Sequence, residues 1–486
     1  MTERPFCKPI LAASSGILAA LAMPGVGAWP LVFFALVPLF YALEGERWFK
    51  SSLLFAAVFF GLDLRWLLTL YRFSPLIIPG FIILVAYFSL FFTLTGLIVR
   101  FQNRPKGALF IVAAAVWLSL SEYLRTFGPL EIGFSDLHQS LYRVPALIQA
   151  ASYIGPWPIT GLIAAANASF YLALKGRKTR YALLGIGLIG ILAAFSLSPW
   201  TMEGPSTPVA IVSSTVDQEE KLDPANLQRL TDRYLELGER AASHEPELIV
   251  FPESILPAYI LREEDLHSRF SRLAEDSRAE VLVGTGDYRD GKIYNSVALL
   301  PPGGTPPAIY DMVRPVPFGE YIPGRRIWEA IGLKRLADSF LPYDLSRGNR
   351  YSPLSGIGTP ICFESTFTSP SRCFAKNGAT LLVIVTNDAW FAGSSELEAH
   401  FAGTVFRAVE NRRFILQAAN GGISGIIDPE GKVIGSTKKE GVLTGSVSRS
   451  SRLSLYTEWG DIPFLLLVGI GLALLILRKK GKAGDD

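Results

Sequence analysis

Glu253 and Cys362 are the residues whose types and settings fit nucleophilic chemistry. Glu253 stands in Phe251-Pro252-Glu253-Ser254, directly after the apolar run 247–251. A carboxylate at a strand end beside proline is placed to be half-buried, and burial lifts its pKa toward that of a general base. Taken alone, a surface-loop glutamate is the simpler reading. Cys362 stands in Pro360-Ile361-Cys362-Phe363-Glu364-Ser365. A cysteine nucleophile needs a base to take its proton, whereas most free cysteines are small buried hydrophobes. Cys373, in Ser371-Arg372-Cys373-Phe374 on an expected helix, is the internal control, and Cys7 opens the first apolar segment. Two further motifs carry polar groups on turns. Val316-Pro317-Phe318-Gly319-Glu320-Tyr321-Ile322-Pro323 uses two prolines and a glycine to present Glu320. Thr386-Asn387-Asp388-Ala389-Trp390-Phe391 ends the most apolar strand of its region and suits a pocket rim.

Three cysteines are too few and too scattered for a disulfide framework, and they lack zinc-site spacing. Four histidines (His138, His244, His267, His400) show no metal-ligand spacing, so neither metal nor cofactor is expected. The net charge of +3 gives no reason to expect a nucleic-acid partner.

The elements that must position these residues lie in a middle block of α/β character. Strands are expected at 208–213, 247–251, 280–284, 293–300, 380–386 and 413–418, and amphipathic helices at 225–242, 263–278 and 396–412. Residues 321–353 mix Pro, Gly, Arg and aromatics without a clean period and read as a long loop.

Around this block the chain is oily. Half of its 486 residues are hydrophobic, only 18% are charged, and mean hydropathy is +0.32. A membrane helix needs ~20 mostly apolar residues. Seven candidates precede residue 200, at 8–24, 29–44, 51–70, 76–99, 107–124, 157–174 and 181–198, and an eighth lies near 462–477. With eight spans the basic clusters at Arg4/Lys8, Arg47/Lys50, Arg100/Arg104/Lys106, Lys175–Arg180 and Arg478–Lys482 share one side. The positive-inside rule makes that side cytoplasmic, with both termini. Residues 201–455 then form an external domain, periplasmic in a cell with two membranes. Asp63 and Glu122 sit near span ends, where interfacial placement is expected.

The order Glu253, PFGEYIP, ICFES, NDAWF resembles the nitrilase superfamily, whose site is carried on an αββα sandwich. With eight spans around it, the chain resembles the apolipoprotein N-acyltransferases along nearly its whole length. His400, Arg407-Ala408-Val409-Glu410 and Asn420-Gly421 also fit that family. The resemblance implies a multi-pass helical membrane domain at 1–200, a nitrilase-like domain at 201–455, and a last span with a basic tail at 456–486. It implies a monomer in the bacterial inner membrane that moves an acyl chain from a phosphatidylethanolamine-like phospholipid, through a thioester on Cys362, to the amino terminus of a diacylglyceryl apolipoprotein. Glu253 is then the general base. Glu320, Glu364 and Asn387 support the site, and Phe318, Phe363 and Trp390 contact substrate.

One departure matters most. The family's third catalytic residue is a lysine four positions before the Val-Pro-Phe-Gly-Glu run, and Met312 stands there. Either activity is lost, or it is reduced or altered, or another cation serves; Arg314 would share Met312's face on a strand. Leu222 stands where the family often has Trp, and Gly133-Phe134-Ser135-Asp136 replaces a Gly-Phe-Pro-Trp loop. Two other functions fit some of these features: a membrane-tethered amidase, and a non-catalytic binder of lipid or lipoprotein.

Overall fold

A computed structural model describes residues 7–44, 47–100, 107–198, 200 and 204–482. Arg4, Arg104 and Lys106 of the basic clusters lie outside the described residues. The chain divides into two compact units, one of Met1–Pro199, Ser394–Phe406 and Ser454–Asp486, the other of Trp200–Gly393 and Arg407–Leu453.

The first unit is helical. Five helices are long and apolar enough to cross a membrane: Trp48–Arg72, Ile77–Ile98, Ala108–Arg125, Trp157–Gly176 and Thr179–Leu197. Three shorter apolar helices are Cys7–Ala22, Trp29–Ala42 and Ile462–Leu477. Together they stand at the eight apolar segments read from the sequence. Their outward faces are apolar, with Ile82, Ile83, Leu183 and Ile186 all exposed. Water would penalise such surface, so lipid is its natural solvent.

Glu122 departs from the interfacial placement expected of it. It is buried, accepting from the Leu137 amide (2.8 Å) and the Thr160 hydroxyl, while His138 Nδ1 lies 3.2 Å from that hydroxyl. The Ser135-Asp136 stretch explains this. Asp136 pairs with buried Arg125, so the segment after the helix folds back and closes over its polar end.

The second unit carries two sheets. β1 (Ser206–Ser213), β2 (Leu248–Val250), β3 (Glu280–Arg289), β4 (Lys292–Leu300) and β5 (Ala308–Asp311) form the first with a late strand, β11 (Gly441–Ser448). β6 (Ile357–Gly358), β7 (Leu381–Asn387), β8 (Ile415–Asn420), β9 (Ser424–Ile427) and β10 (Val433–Thr437) form the second. Their orders are β11-β1-β2-β3-β4-β5 and β10-β9-β8-β7-β6. Parallel pairs at β1–β2–β3 and β6–β7–β8 explain why those strands read as unbroken apolar runs. The sheets face one another through β1 and β8, where Ser214 bridges Asn420.

Helices Leu227–Ala242 and Glu264–Ser277 cover the first sheet, burying Tyr234, Leu237, Phe270 and Leu273 against Phe251, Val281 and Val283. Each large apolar side chain buried there contributes ~1.5–3 kcal/mol. Helix Thr368–Lys376 packs on β6 and β7, and it carries Cys373. The layers are those of an αββα sandwich.

All six expected strands and all three expected helices are present, with shifted ends. The long loop expected at 321–353 is corrected: it holds helices Arg325–Ala330 and Lys334–Phe340. Gly324 and Gly332, both with positive φ, keep each helix under two turns, too short to show a 3.6-residue period.

Candidate active site

Glu253 follows β2 and is buried at 7% exposure, deeper than expected of it. Its depth depends on β3 passing close behind. Gly284 makes room, since a Cβ there would lie 2.5 Å from Glu253 Cα. The Gly284 amide also bonds Pro252 O at 3.2 Å.

Asn295 on β4 binds two carboxylates with one amide nitrogen. Its Nδ2 donates to Glu253 Oε1 (2.7 Å) and Glu320 Oε1 (2.9 Å). The Val316-Tyr321 turn holds Glu320 as expected, with the Val316 amide donating to Glu320 Oε2 (2.7 Å) and the Glu320 amide to Val316 O (2.9 Å). Met312 follows β5, buried at 1% exposure. Its Sδ is 3.7 Å from Asn295 Nδ2, and its amide bonds Asn295 O at 2.8 Å. The side chain at 312 therefore reaches the amide that holds the two carboxylates and brings no charge there.

Cys362 opens a 3₁₀ turn, Cys362–Thr366, with φ of +45°. That left-handed conformation costs a non-glycine residue about 1–3 kcal/mol and must be held by its surroundings. Glu364 holds it. Fully buried, it accepts from the Ile361 amide (3.0 Å), the Val313 amide (2.8 Å), the Arg314 amide (3.0 Å) and the Tyr310 hydroxyl (2.8 Å). One side chain thus ties the cysteine loop to the segment after β5. Arg407 anchors the far end of the turn, donating to Thr366 O at 3.1 Å while paired with Glu410. Cys362 is half-buried as a residue, and its thiol lies close enough to Glu253 for each group to shift the other's ionisation.

The charge balance is negative. Burial pushes Glu253 above the usual carboxylate range, while the Asn295 amide, the Lys221 charge and the Cys362 thiol pull it back. Burial and the nearby Glu253 raise Glu320 to about 7, and burial raises Glu364 to about 7 against its four donors. Burial, then Glu253 and Asp388, hold the Cys362 thiol well above its ordinary value. Burial therefore favours the protonated thiol, and Glu253 is the carboxyl group placed to exchange a proton with it.

Other expected residues lie around this centre. Asn387 ends β7, with Nδ2 donating to Gln218 Oε1 (2.7 Å) and Oδ1 accepting from Asn420 Nδ2 (2.8 Å). Trp390 is half-buried in the turn Asp388–Phe391 that follows. Phe363 packs edge-on against Phe367, and Phe318 packs against Trp328 and Phe340. Arg314 is corrected as the substitute cation. The strand ends at Asp311, so alternation no longer holds, and the guanidinium lies 3.4 Å over the Phe367 ring with Nη1 3.4 Å from Ser369 Oγ. Leu222 is exposed.

Sequence reasoning missed Asn295 and Lys221. Asn295 reads as one polar residue in the strand Ile-Tyr-Asn-Ser-Val. Lys221 reads as part of a solvated charged turn, Asp217-Gln218-Glu219-Glu220-Lys221, and nothing in its spacing marks burial.

Residues 210–455 match the carbon-nitrogen hydrolase family, and residues 15–169 match the apolipoprotein N-acyltransferase N-terminal domain. An apolipoprotein N-acyltransferase of Geobacter metallireducens is 32% identical over 482 residues, covering 93% of this chain and 92% of its own. The chain belongs to the apolipoprotein N-acyltransferase family. A family relative from Thermotoga maritima is 30% identical, covering 98% of this chain and 95% of its own. The carbon-nitrogen hydrolase match spans the two-sheet unit, giving this acyltransferase family member its nitrilase-like fold. Among solved structures, an amidase from Nesterenkonia sp. AN1 is similar at 18% identity and a TM-score of 0.41, covering 53% of this chain and 95% of its own.

Proposed function

We propose that this chain acylates the α-amino group of a diacylglyceryl-modified cysteine at a lipoprotein's amino terminus, using a membrane phospholipid as donor and Cys362 as the acyl carrier. The observation carrying this reading is that buried Glu253 and the Cys362 thiol, far apart in sequence, stand close enough to shift each other's ionisation, in a chain rich in apolar helices. In the first half-reaction Glu253 takes the thiol proton as sulfur attacks an ester carbonyl carbon. The C–S bond forms, the tetrahedral adduct collapses with cleavage of the ester C–O bond, and Glu253 returns the proton to the departing alkoxide. The products are a thioester and a lysophospholipid. In the second, the lipoprotein amine attacks the thioester carbon and Glu253 accepts its proton. An amide C–N bond forms, the C–S bond breaks, and the proton returns to sulfur. Splitting the transfer lets one site serve two bulky lipids in turn.

The local chemistry supports these roles. A carboxylate pushed up by burial is better matched to a thiol than an exposed one. Asn295 holds that carboxylate, and Glu364 holds the strained cysteine turn. Phe318, Phe363 and Trp390 are the apolar groups proposed to meet substrate. The chain is a membrane protein; we place its second unit on the periplasmic side of the inner membrane, with both termini cytoplasmic, from the distribution of basic residues. Phosphatidylethanolamine is the donor class proposed, and a monomer the proposed state.

The test is product formation. Purified full-length protein in detergent micelles is given labelled phosphatidylethanolamine and a diacylglyceryl-cysteine peptide. Amide-linked label on the peptide with lysophospholipid release is the expected result. Release of free fatty acid without peptide label would instead make the protein a hydrolase.

A further inference from the structure

The active site described above has a charge imbalance. Glu253, Glu364 and Asp388 are buried, Glu320 is half-buried, and position 312 beside Asn295 is a neutral thioether. Lys221 is the buried lysine among the described residues, at 4% exposure. Its Nζ donates to Glu253 O at 2.9 Å, fixing the ammonium at the backbone of the proposed base. Burying an ammonium is costly unless carboxylates repay it, and here they are at hand.

The element that carries Lys221 is firmly held. The short helix Gln218–Leu222 is capped by Asp217, whose carboxylate accepts from the Glu219 amide (2.9 Å). Gln218 is bonded by Asn387 at the end of β7, and Asn387 by Asn420 at the end of β8. Asn420 in turn accepts from the Val216 amide (2.8 Å) and donates to Val216 O (2.9 Å), closing a loop of side chains back to the segment that leads into the helix. Three buried amide side chains, one on this helix and two at strand ends of the second sheet, thus set where Lys221 stands.

We propose that Lys221 is a positioning residue whose charge tunes the Glu253–Cys362 pair, a role that Met312 cannot fill. The inference rests on the acyl-carrier reading of Cys362. Lys221 acts through Glu253 and through the field on the sulfur, favouring the deprotonated form of the pair. Its charge acts on both groups, and burial lowers its own pKa to about 8. The titratable groups that its charge meets are Glu253 and Cys362, of which Lys221 is the cationic counterpart. Without it, the pair would lose its shared proton only at higher pH.

The experiment uses the full chain in detergent micelles and two readouts: alkylation of Cys362 by iodoacetamide from pH 6 to 9, and acyl-enzyme formation from labelled phosphatidylethanolamine. Wild type, Lys221→Gln, Met312→Lys and the double variant are compared. Lys221→Gln is expected to slow both reactions at pH 7 by about 10²-fold, the scale of losing one buried stabilising donor, and to move the alkylation profile to higher pH. The double variant is expected to recover most of this loss, because a lysine at 312 reaches the same carboxylates.

A Lys221→Gln protein with the wild-type rate and profile would overturn the proposal. So would a loss that Met312→Lys fails to restore. If Lys221→Gln does not fold, Met312→Lys alone decides: a gain of about 10²-fold would mean the wild-type site lacks its cation. Absence of acyl-enzyme from every variant would sink the acyl-carrier reading, while the alkylation profiles still decide the role of Lys221.

Discussion

Replacing Asn295 with leucine removes one nitrogen that serves both Glu253 and Glu320. The change keeps most of the side-chain volume and deletes two hydrogen bonds to carboxylates. Each such bond contributes about 1.5–3 kcal/mol, so loss of the Glu253 bond alone should cost the transition state about that amount. At 1.36 kcal/mol per decade, acyl-enzyme formation at pH 7 should fall about 10- to 10²-fold. Stability should respond to pH in a defined direction. The folded-state pKa of Glu320, already about 7 where a free glutamate has 4.5, rises further when the donor is lost. A carboxyl raised on folding binds more protons in the folded state, so stability falls as pH climbs from the unfolded value through the folded one. Asn295→Leu should therefore lower the melting temperature more at pH 8 than at pH 5. Single-turnover acylation and melting in detergent at the two pH values check both parts. An unchanged acylation rate, or an equal melting loss at both pH values, would refute the reasoning.

Glu253→Gln should slow acyl-enzyme formation by 10²-fold or more, whereas Cys373→Ala should leave it unchanged, as read by label incorporation. Gly284→Ala should destabilise the protein by about 1–3 kcal/mol, because the new Cβ would lie 2.5 Å from Glu253 Cα, and a detergent melt should show it. A reporter fused after Asp486 should read cytoplasmic and one inserted near residue 205 periplasmic; the reverse pattern would invert the proposed topology.

The eight apolar helices were legible because sustained apolar runs declare themselves by length and composition. The parallel strands β2 and β7 were legible as unbroken apolar runs ending in polar residues, which put Glu253 and Asn387 at strand ends. The short edge strands β5 and β6, of four and two residues, were hidden, since neither is long enough to set a period. The turn presenting Glu320 was readable from its prolines and glycine. The donor that binds Glu320 was not, because Asn295 meets it only when β4 lies beside the end of β5. Lys221 was hidden for the opposite reason. Its neighbours in sequence are charged and read as solvated, and its burial is imposed by Asn387 and Asn420, which arrive from strands far along the chain. Arg314 looked available only while residues 312–314 were taken as strand.

The account's central claim is that Cys362 carries the acyl chain. Wild-type protein should be incubated with phosphatidylethanolamine alone, quenched in acid, digested and weighed peptide by peptide. The peptide containing Cys362 should gain the mass of one fatty acyl group, lost on hydroxylamine treatment and absent from Cys362→Ala. An acyl group on any other residue, or none while lipoprotein peptide is still acylated, would contradict it.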